Sequence, residues 1–258
     1  MIKNLNRVGL TGWSGAIGSN ASSCIKIQSR LEDSYKSIFN EFQKLDLDVY
    51  VHLAAITNIG FSEKNKAQTF KLNSEMPLKF LKAADNAGVK RFIFISTSHV
   101  YDFAMKPPYK ITSKLKPLSV YAKSKLKAEE LLTSYKPSSN IKVSVARVFS
   151  VLNTSLIGEH YLFSSLVKRA LDKNLEPIPG LSKKRDFLTD KEVMNKILNL
   201  AKSKEFPPLV NICSGRTKKI KEIAQEVYAK YAKELDFNSI ETFDDGSPDL
   251  IKGVPSEF

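Results

Sequence analysis

Cysteine is scarce in this sequence of 258 residues, and long apolar runs are absent from it. Its two cysteines, Cys24 and Cys213, lie far apart and lack the spacing of metal ligands, so we expect reduced thiols and no metal site. No uninterrupted apolar stretch is long enough to cross a bilayer, and the N-terminal MIKNLNRVGL lacks the apolar region and cleavage site of a signal peptide. We therefore expect a cytoplasmic protein with no membrane partner.

Acidic residues are also scarce relative to basic ones. The 27 Asp and Glu residues face 40 Lys and Arg residues, which gives a formal net charge of +13. Such an excess is a feature of nucleic-acid-binding proteins, but there the basic residues form one patch or arm. Here they are scattered along the chain, on predicted helix faces such as KIKEIAQEVYAKYAKE. We therefore expect no nucleic-acid partner, and the positive balance suits a small anionic ligand.

Short apolar runs alternate with helical patterns along the chain. This alternation is typical of βαβ units around a parallel sheet, so we predict an α/β fold. The predicted strands include RVGLTG, CIKIQSR, DVYVHLAA, RFIFIST and KVSVARVFS. Residues 1–150 are predicted to form the sheet domain. Residues 151–258 are predicted to form mainly a smaller C-terminal lobe, with some segments returning to the sheet and a polar tail from about Asp244.

A tyrosine and a lysine carry the candidate chemistry. Tyr121 and Lys125, in SVYAKSK, lie four residues apart in a helical stretch and therefore share one face. A free tyrosine loses its proton near pH ~10, which is too high for efficient proton exchange at neutral pH. A nearby ammonium lowers that pKa, and Lys125 is placed to provide it. The hydroxyl of Thr97, at the end of the strand RFIFIST, can hold a substrate oxygen beside the phenol.

Five ordered segments give the chain a family resemblance. TGWSGAIG, DVYVHLAA, FISTSHVY, YAKSK and KKRDFLTDKEV are similar to motifs of the extended branch of the short-chain dehydrogenase/reductase family, which contains nucleotide-sugar epimerases, dehydratases and ketoreductases. The resemblance spans about Arg7 to Ala224. It implies a Rossmann-type, doubly wound parallel sheet with a small substrate-binding lobe, a nicotinamide cofactor and a homodimer that pairs through the Tyr121 helix and the helix of NSEMPLKFLKAA.

The resemblance also assigns roles by position. It makes Thr97 the hydroxyl that orients the substrate, Tyr121 the acid/base, and Lys125 the residue that holds the nicotinamide ribose. Ser96 and Ser98 remain alternatives to Thr97, and His52 and His99 are interpreted as packed strand-end residues. The remaining implied contacts are with the cofactor (Gly12, Gly15, Ala16, Ile17, Gly18, Arg30, Ala54 and Ala55) and with the nucleotide part of the substrate (Arg185 and Arg216). A surface ion pair remains an alternative for Arg185.

The opening of the chain departs from the family pattern. Where the family has a helix of about three turns, only Ser19 to Ser23 separate Gly18 from CIKIQSR. We predict that the first helix is reduced to a turn, which lowers cofactor affinity because a helix N-terminus stabilises phosphate. One face of the sheet then needs another cover, such as a partner subunit. At the end of the second strand Arg30 suits a 2′-phosphate, which favours NADP(H) over NAD(H), although Glu32 and Asp33 leave NAD(H) open.

The resemblance leaves three functions to compare. We favour reduction of a nucleotide-linked 4-keto-6-deoxy sugar, with a nucleotide-sugar 4-epimerase as the alternative. A dehydratase is disfavoured, because Ser98 and His99 stand where dehydratases of this family have Asp and Glu. The third possibility is a non-catalytic member that senses cofactor or acts as a subunit, and the short opening favours it. The intact set of Thr97, Tyr121 and Lys125 argues against it.

Overall fold

A parallel sheet of six strands lies at the centre of the fold. The structure, a computed structural model, describes residues 7–158 and 160–258; residues 1–6 of the predicted first domain and Glu159 of the second lie outside these ranges. The central sheet has the order β10-β5-β4-β3-β1-β2, and every neighbouring pair in it is parallel. The strands of the described chain are β1 (Val8–Thr11), β2 (Ile25–Lys26), β3 (Val49–His52), β4 (Arg91–Thr97), β5 (Lys142–Val148), β6 (Ser150–Leu152), β7 (Ile178–Pro179), β8 (Lys184–Arg185), β9 (Phe187–Thr189), β10 (Leu209–Ile212), β11 (Lys218–Lys219), β12 (Thr242–Phe243) and β13 (Leu250–Ile251).

Helices cover both faces of this sheet, which is the doubly wound arrangement predicted from the alternating pattern. They are α1 (Tyr35–Leu45), α2 (Ile59–Lys64), α3 (Lys66–Phe70), α4 (Met76–Asn86), α5 (Val120–Ser134), α6 (Leu162–Leu171), α7 (Asp190–Lys202) and α8 (Ile220–Tyr231). A π-helical segment, Lys71–Glu75, joins α3 to α4. Among the described residues no helix is both long and apolar enough to span a bilayer.

Strand β4 shows why this sequence forms a buried parallel sheet. All seven of its residues, RFIFIST, are buried. Its side chains alternate between the two faces of the sheet, so that Ile93 and Ile95 join one core while Phe92 and Phe94 join the other. Strands covered on both faces read as nearly continuous apolar runs, which is the pattern that identified this segment in the sequence.

The first helix is reduced to a turn, as the short opening predicted. A single 3₁₀ turn, Gly18–Asn20, follows the glycine segment, and β2 begins five residues after it. The expectation that a partner subunit covers the exposed face was wrong, because the chain covers this face itself. Helix α7 places Val193 and Ile197 in the same core as Val8 of β1, and Trp13 and Ile17 of the turn pack against that core. Residues of α7 thus cover the surface that the missing helix would cover.

The segment after Asp244 is not a polar tail, contrary to the expectation from its composition. Strand β13 pairs with β8, and Tyr109 forms an isolated bridge with Gly253. Ile251 is buried, and Phe258 packs against the core that contains β1. Close to this segment, α6 and α8 pack together around a separate apolar cluster and form the body of the C-terminal lobe.

Candidate active site

A cleft lies at the carboxyl ends of β1, β3, β4 and β5. Its volume is about 910 Å³, and the lobe closes one side of it with residues of β8, β9 and the start of α6. In doubly wound sheets ligands bind at this edge, where the strand order reverses. Here the reversal occurs at β1, whose neighbours are β2 and β3.

The glycine turn forms the wall of the cleft beside β1. Gly12 has a φ of +70°, which favours glycine, and a Cβ there would lie 2.8 Å from the backbone nitrogen of Ala54. A Cβ on Gly18 would lie 2.2 Å from the carbonyl oxygen of Gly12. Only residues without side chains allow this close packing. Backbone that lines a cleft in this way can lie directly against a phosphate, so the turn fits the pyrophosphate of a dinucleotide.

The three hydroxyl groups at the end of β4 differ in their contacts. The hydroxyl of Thr97 lies near the phenol of Tyr121, close enough to lower its pKa, and both residues line the cleft. Ser96 also lies at the cleft wall, but its hydroxyl donates to the carboxylate of Glu129. Ser98 is buried and is not among the residues that line the cleft. Of the three candidates, Thr97 is the hydroxyl that lines the cleft near Tyr121 without donating to Glu129.

The pKa of Tyr121 is raised well above its usual value, contrary to the expected effect of Lys125. Burial of the phenol is the largest cause, the nearby Tyr161 adds to it, and the hydroxyl of Thr97 opposes it. At neutral pH Tyr121 is therefore a phenol that holds its proton. A protonated phenol beside a bound carbonyl is the form required of a general acid.

Lys125 is buried on the next turn of α5. Its Nζ lies 4.4 Å from the centroid of the Phe94 ring, over the ring face. Burial lowers the pKa of Lys125 to about 7, although the carboxylate of Glu129 opposes the shift. Glu129 is itself held by Arg147, whose Nη2 lies 2.6 Å from the carboxylate. The chain alone thus stabilises the protonated form of Lys125 only weakly, and an anionic ligand in the cleft would stabilise it further.

Asn73 is a site residue that the sequence analysis missed. It is fully buried in the segment between α3 and α4. Its amide accepts from the backbone N–H of Ile56 at 2.8 Å and donates to the carbonyl of Ile56 at 2.9 Å and to the Ser124 hydroxyl at 3.1 Å. These bonds fix the loop after β3, which contains Ala54 and Ala55, to the helix that carries Tyr121. Nothing in the spacing of Asn73 marked it.

A second missed group lies across the cleft from Tyr121. The hydroxyl of Thr57 is 3.0 Å from the phenolic oxygen of Tyr161 and 3.1 Å from Nε2 of His160. All three residues line the cleft. Thr57 belongs to the loop after β3, whereas Tyr161 is the N-cap of α6. The contact therefore joins the sheet domain to the lobe over the cleft.

The other predicted residues divide into those inside the cleft and those outside it. The lining includes Gly12, Gly15, Ala16, Ile17, Gly18, Ala54, Ala55 and Arg185. Arg30 and Arg216 are exposed and are not among the lining residues. The guanidinium of Arg185 donates to the carbonyl of Pro248 at 2.7 Å and to the hydroxyl of Ser247 at 2.8 Å. The alternative of a surface ion pair does not describe Arg185, since it is buried.

The two histidines at strand ends differ from each other. His52 is fully buried, and its Nδ1 lies 2.7 Å from the hydroxyl of Tyr50. Burial lowers its pKa to about 3, so it is neutral. His99 lines the cleft, and burial together with the charge of Arg185 lowers its pKa to about 4. Neither group titrates near neutral pH, which suits the packed role expected of them.

Comparison with known proteins gives the family. A sequence model of the NAD dependent epimerase/dehydratase family matches residues 8–213. The chain belongs to this family. A similar curated relative is the GDP-6-deoxy-D-mannose reductase of Pseudomonas aeruginosa, 28% identical over 186 residues, which are 69% of this chain and 61% of the relative. The chain therefore spans about three-fifths of that relative's length.

Solved structures of the same fold cover nearly the whole chain. The UDP-glucose 4-epimerase of Thermotoga maritima with UDP-glucose aligns with a TM-score of 0.83 and 22% identity, over 97% of this chain and 90% of that one. The structure of RMD from Pseudomonas aeruginosa complexed with NADPH aligns with a TM-score of 0.78 and 21% identity, over 97% and 90%. At these identities the likeness shows the fold.

Proposed function

We propose that this protein is an NAD(P)-dependent oxidoreductase that reduces the keto group of a nucleotide-linked 4-keto-6-deoxy sugar. The observation that carries the proposal is that Thr97, Tyr121 and Lys125 line one cleft at the carboxyl edge of the sheet. The similarity to a GDP-6-deoxy-D-mannose reductase supports the substrate class. The positive net charge of +13 suits two ligands that each carry phosphates.

The residues present fit a dinucleotide. Gly12, Gly15 and Gly18, with Ala16 and Ile17, would hold its pyrophosphate, and Ala54 and Ala55 would flank it, because these residues line one wall of the cleft with little side-chain bulk. When bound, the nicotinamide supplies the hydride of the reaction.

The chain's own residues supply the proton. The hydroxyl of Thr97 donates to the substrate carbonyl and keeps its oxygen next to Tyr121. As the carbonyl carbon accepts the hydride, Tyr121 transfers its phenolic proton to the developing alkoxide, and the product is an alcohol. The resulting phenolate is stabilised by the ammonium of Lys125, which a bound anionic cofactor keeps protonated. The raised pKa keeps Tyr121 protonated before the reaction, and the positive charges of Lys125 and of the oxidised cofactor are needed to lower it for proton transfer.

We propose NADP(H) as the cofactor. The support is Arg30, an exposed cation just beyond β2, where a 2′-phosphate lies in folds of this type. The carboxylate of Glu41 fixes this strand end, since it accepts from the backbone N–H groups of Gln28 at 2.7 Å and Ser29 at 2.8 Å. Because Arg30 lies outside the lining of the cleft, its side chain must reorient to reach a phosphate. The NADPH complex of a protein with this fold is consistent with the choice.

We also propose a cytoplasmic homodimer. Both cysteines are unpaired, as expected in a reducing compartment. Phe61 in α2 and Leu118 just before α5 are exposed apolar side chains, with 43% and 72% of their surface accessible. They lie beside the helices through which the family resemblance predicts pairing. Sedimentation of the purified protein tests the dimer directly.

The experiment that tests the proposed function has two stages. The purified protein is first titrated with NADPH and with NADH, with nicotinamide fluorescence as the readout. Micromolar binding of either supports a working cofactor site, whereas no binding at millimolar concentration identifies the non-catalytic alternative. Nucleotide-linked 4-keto-6-deoxy sugars are then supplied with the bound cofactor, and its oxidation is followed. Interconversion of two nucleotide hexoses without net oxidation of the cofactor would instead establish the 4-epimerase.

A further inference from the structure

Thr57, His160 and Tyr161 form a polar cluster that the proposed mechanism does not use. His160 and Tyr161 belong to the lobe and Thr57 to the sheet domain, and all three line the same cleft as Tyr121. The rings of His160 and Tyr161 pack with their centroids 4.2 Å apart, and the hydroxyl of Thr57 bridges both side chains. Tyr161 and Tyr121 both line this cleft, so a ligand that fills it contacts both side chains.

The hydrogen-bonding capacity of the cluster is not exhausted by its own contacts. A hydroxyl offers one donor and two acceptor sites, and a neutral imidazole nitrogen offers one site. Burial lowers the pKa of His160, so the ring is neutral. If Thr57 donates to His160, it accepts from Tyr161, and the Tyr161 oxygen keeps its acceptor sites. If His160 donates to Thr57, the second bond runs either from Thr57 to Tyr161, which leaves the Tyr161 proton free, or from Tyr161 to Thr57, which leaves the Tyr161 acceptor sites free. In every arrangement Tyr161 keeps at least one site for a ligand.

We propose that Tyr161, held by Thr57, selects for a sugar hydroxyl on the ring carbon next to the reacting carbon. A hydroxyl can donate or accept, so it satisfies a free site of Tyr161 in every arrangement. A deoxy position displaces water from the half-buried Tyr161 hydroxyl without replacing its hydrogen bond, which lowers affinity. The inference rests on the proposed function, since it assumes that Tyr121 faces the reacting carbon of a nucleotide-linked sugar.

The role assigned to the cluster is specificity for the sugar, separate from cofactor binding. Thr57 follows Ala54 and Ala55 in the same loop, but its hydroxyl contacts the lobe and not the glycine turn. Removal of the Tyr161 or the Thr57 hydroxyl is therefore expected to lower the affinity that the sugar adds to that of the nucleoside diphosphate. The same change should leave the affinity for the nucleoside diphosphate and for NADPH intact. This separation gives the readout that a merely structural role would not produce.

The test compares each nucleotide sugar with its own diphosphate. Dissociation constants are measured by calorimetry for UDP-glucose against UDP, GDP-mannose against GDP and dTDP-glucose against dTDP, in the presence of NADPH. The variants are Tyr161→Phe and Thr57→Val, which remove one hydroxyl each with little change of shape. The matched controls are Tyr231→Phe in the lobe and Thr112→Val on the surface, which remove the same groups outside the lining of the cleft. Melting temperatures show that each variant folds.

We expect the ratio of the two dissociation constants to fall by about five- to tenfold in each cleft variant, the effect of one hydrogen bond. The controls should keep the wild-type ratio, and the NADPH affinity should stay within about twofold. An unchanged ratio in both cleft variants overturns the inference while leaving the proposed function intact. So does a wild-type protein that binds no nucleotide sugar more tightly than its diphosphate. Failure of the wild-type protein to bind NADPH or NADH counts against the proposed function, and the sugar ratios can still be measured without cofactor.

Discussion

The Gly18→Ala variant tests whether the shortened opening is a working cofactor site. Of the turn's glycines, Gly18 has the closest predicted collision: a Cβ would lie 2.2 Å from the Gly12 carbonyl oxygen and 2.7 Å from the Cα of Trp13. Both neighbours are backbone atoms, so no side chain can rotate away. Ordinary contact begins at 3.4 Å, so the turn must open by about 1.2 Å. A displacement of about 1 Å costs roughly 100-fold where reacting groups must be aligned, and we expect a loss of similar order where backbone must lie against a pyrophosphate.

The assay is the fluorescence titration with NADPH, repeated on the variant and accompanied by thermal denaturation. We expect the dissociation constant to rise by roughly 100-fold while most of the secondary structure is retained. Gly60→Ala is the matched control, because Gly60 also lines the cleft but its added Cβ would lie 3.4 Å from the Asn58 side chain. As Gly60 is in α2, that control should bind NADPH normally and gain up to about 1 kcal/mol of stability. A Gly18→Ala protein with wild-type affinity would refute the reasoning.

Three further predictions concern protons. Tyr121→Phe should lower turnover by about 10²- to 10⁴-fold with an unchanged NADPH dissociation constant, and retained turnover would contradict the mechanism. Because the pKa of Lys125 is lowered to about 7, its positive charge is lost as the pH rises through that value. The affinity for the anionic NADPH should therefore fall above about pH 7, and Lys125→Met should remove this pH dependence. The pKa of Asp85 is lowered: burial opposes the shift, but hydrogen bonds from Ser139, Ser138 and Tyr135 outweigh it. Ionised Asp85 therefore stabilises the fold at pH values above its unfolded-state pKa, and this contribution is lost as the pH falls through its folded-state pKa. Asp85→Asn lacks this contribution, so acidification should lower its free energy of unfolding, measured by urea denaturation, by less than it lowers that of the wild type.

The predicted site residues that line the cleft are those whose positions follow from local structure. Tyr121 and Lys125 lie on one face because a helix repeats every 3.6 residues, and Thr97 lies at the cleft because it ends a buried parallel strand. Gly12 and Gly18 were identifiable because their spacing has few other uses. Each of these positions is determined by a segment of fewer than about 20 residues, which sequence patterns describe well.

The residues that the sequence analysis missed depend on contacts between distant segments. Thr57 meets Tyr161 across 104 positions of the chain, and Asn73 reaches Ile56 across 17 through an irregular helical segment. The C-terminal segment was misread for the same reason: its composition is polar, yet Ile251 pairs with Arg185 in β8. Charge and hydropathy report the local preference of a segment, whereas its burial depends on where the rest of the chain places a partner strand.

The loss of the first helix follows the same logic and leads to a prediction about α7. A helix after β1 would bury an apolar stripe against β1 and β3, and here that surface is buried by α7 together with the turn residues. Ile197 is fully buried in this core, so Ile197→Ala should cost about 2–5 kcal/mol of unfolding free energy in urea denaturation. Lys196→Ala, one position earlier on the same helix, is the control and should change stability by less than about 0.5 kcal/mol. A loss below about 1 kcal/mol for Ile197→Ala would mean that α7 does not bury this face of the sheet, and that something other than this chain covers it.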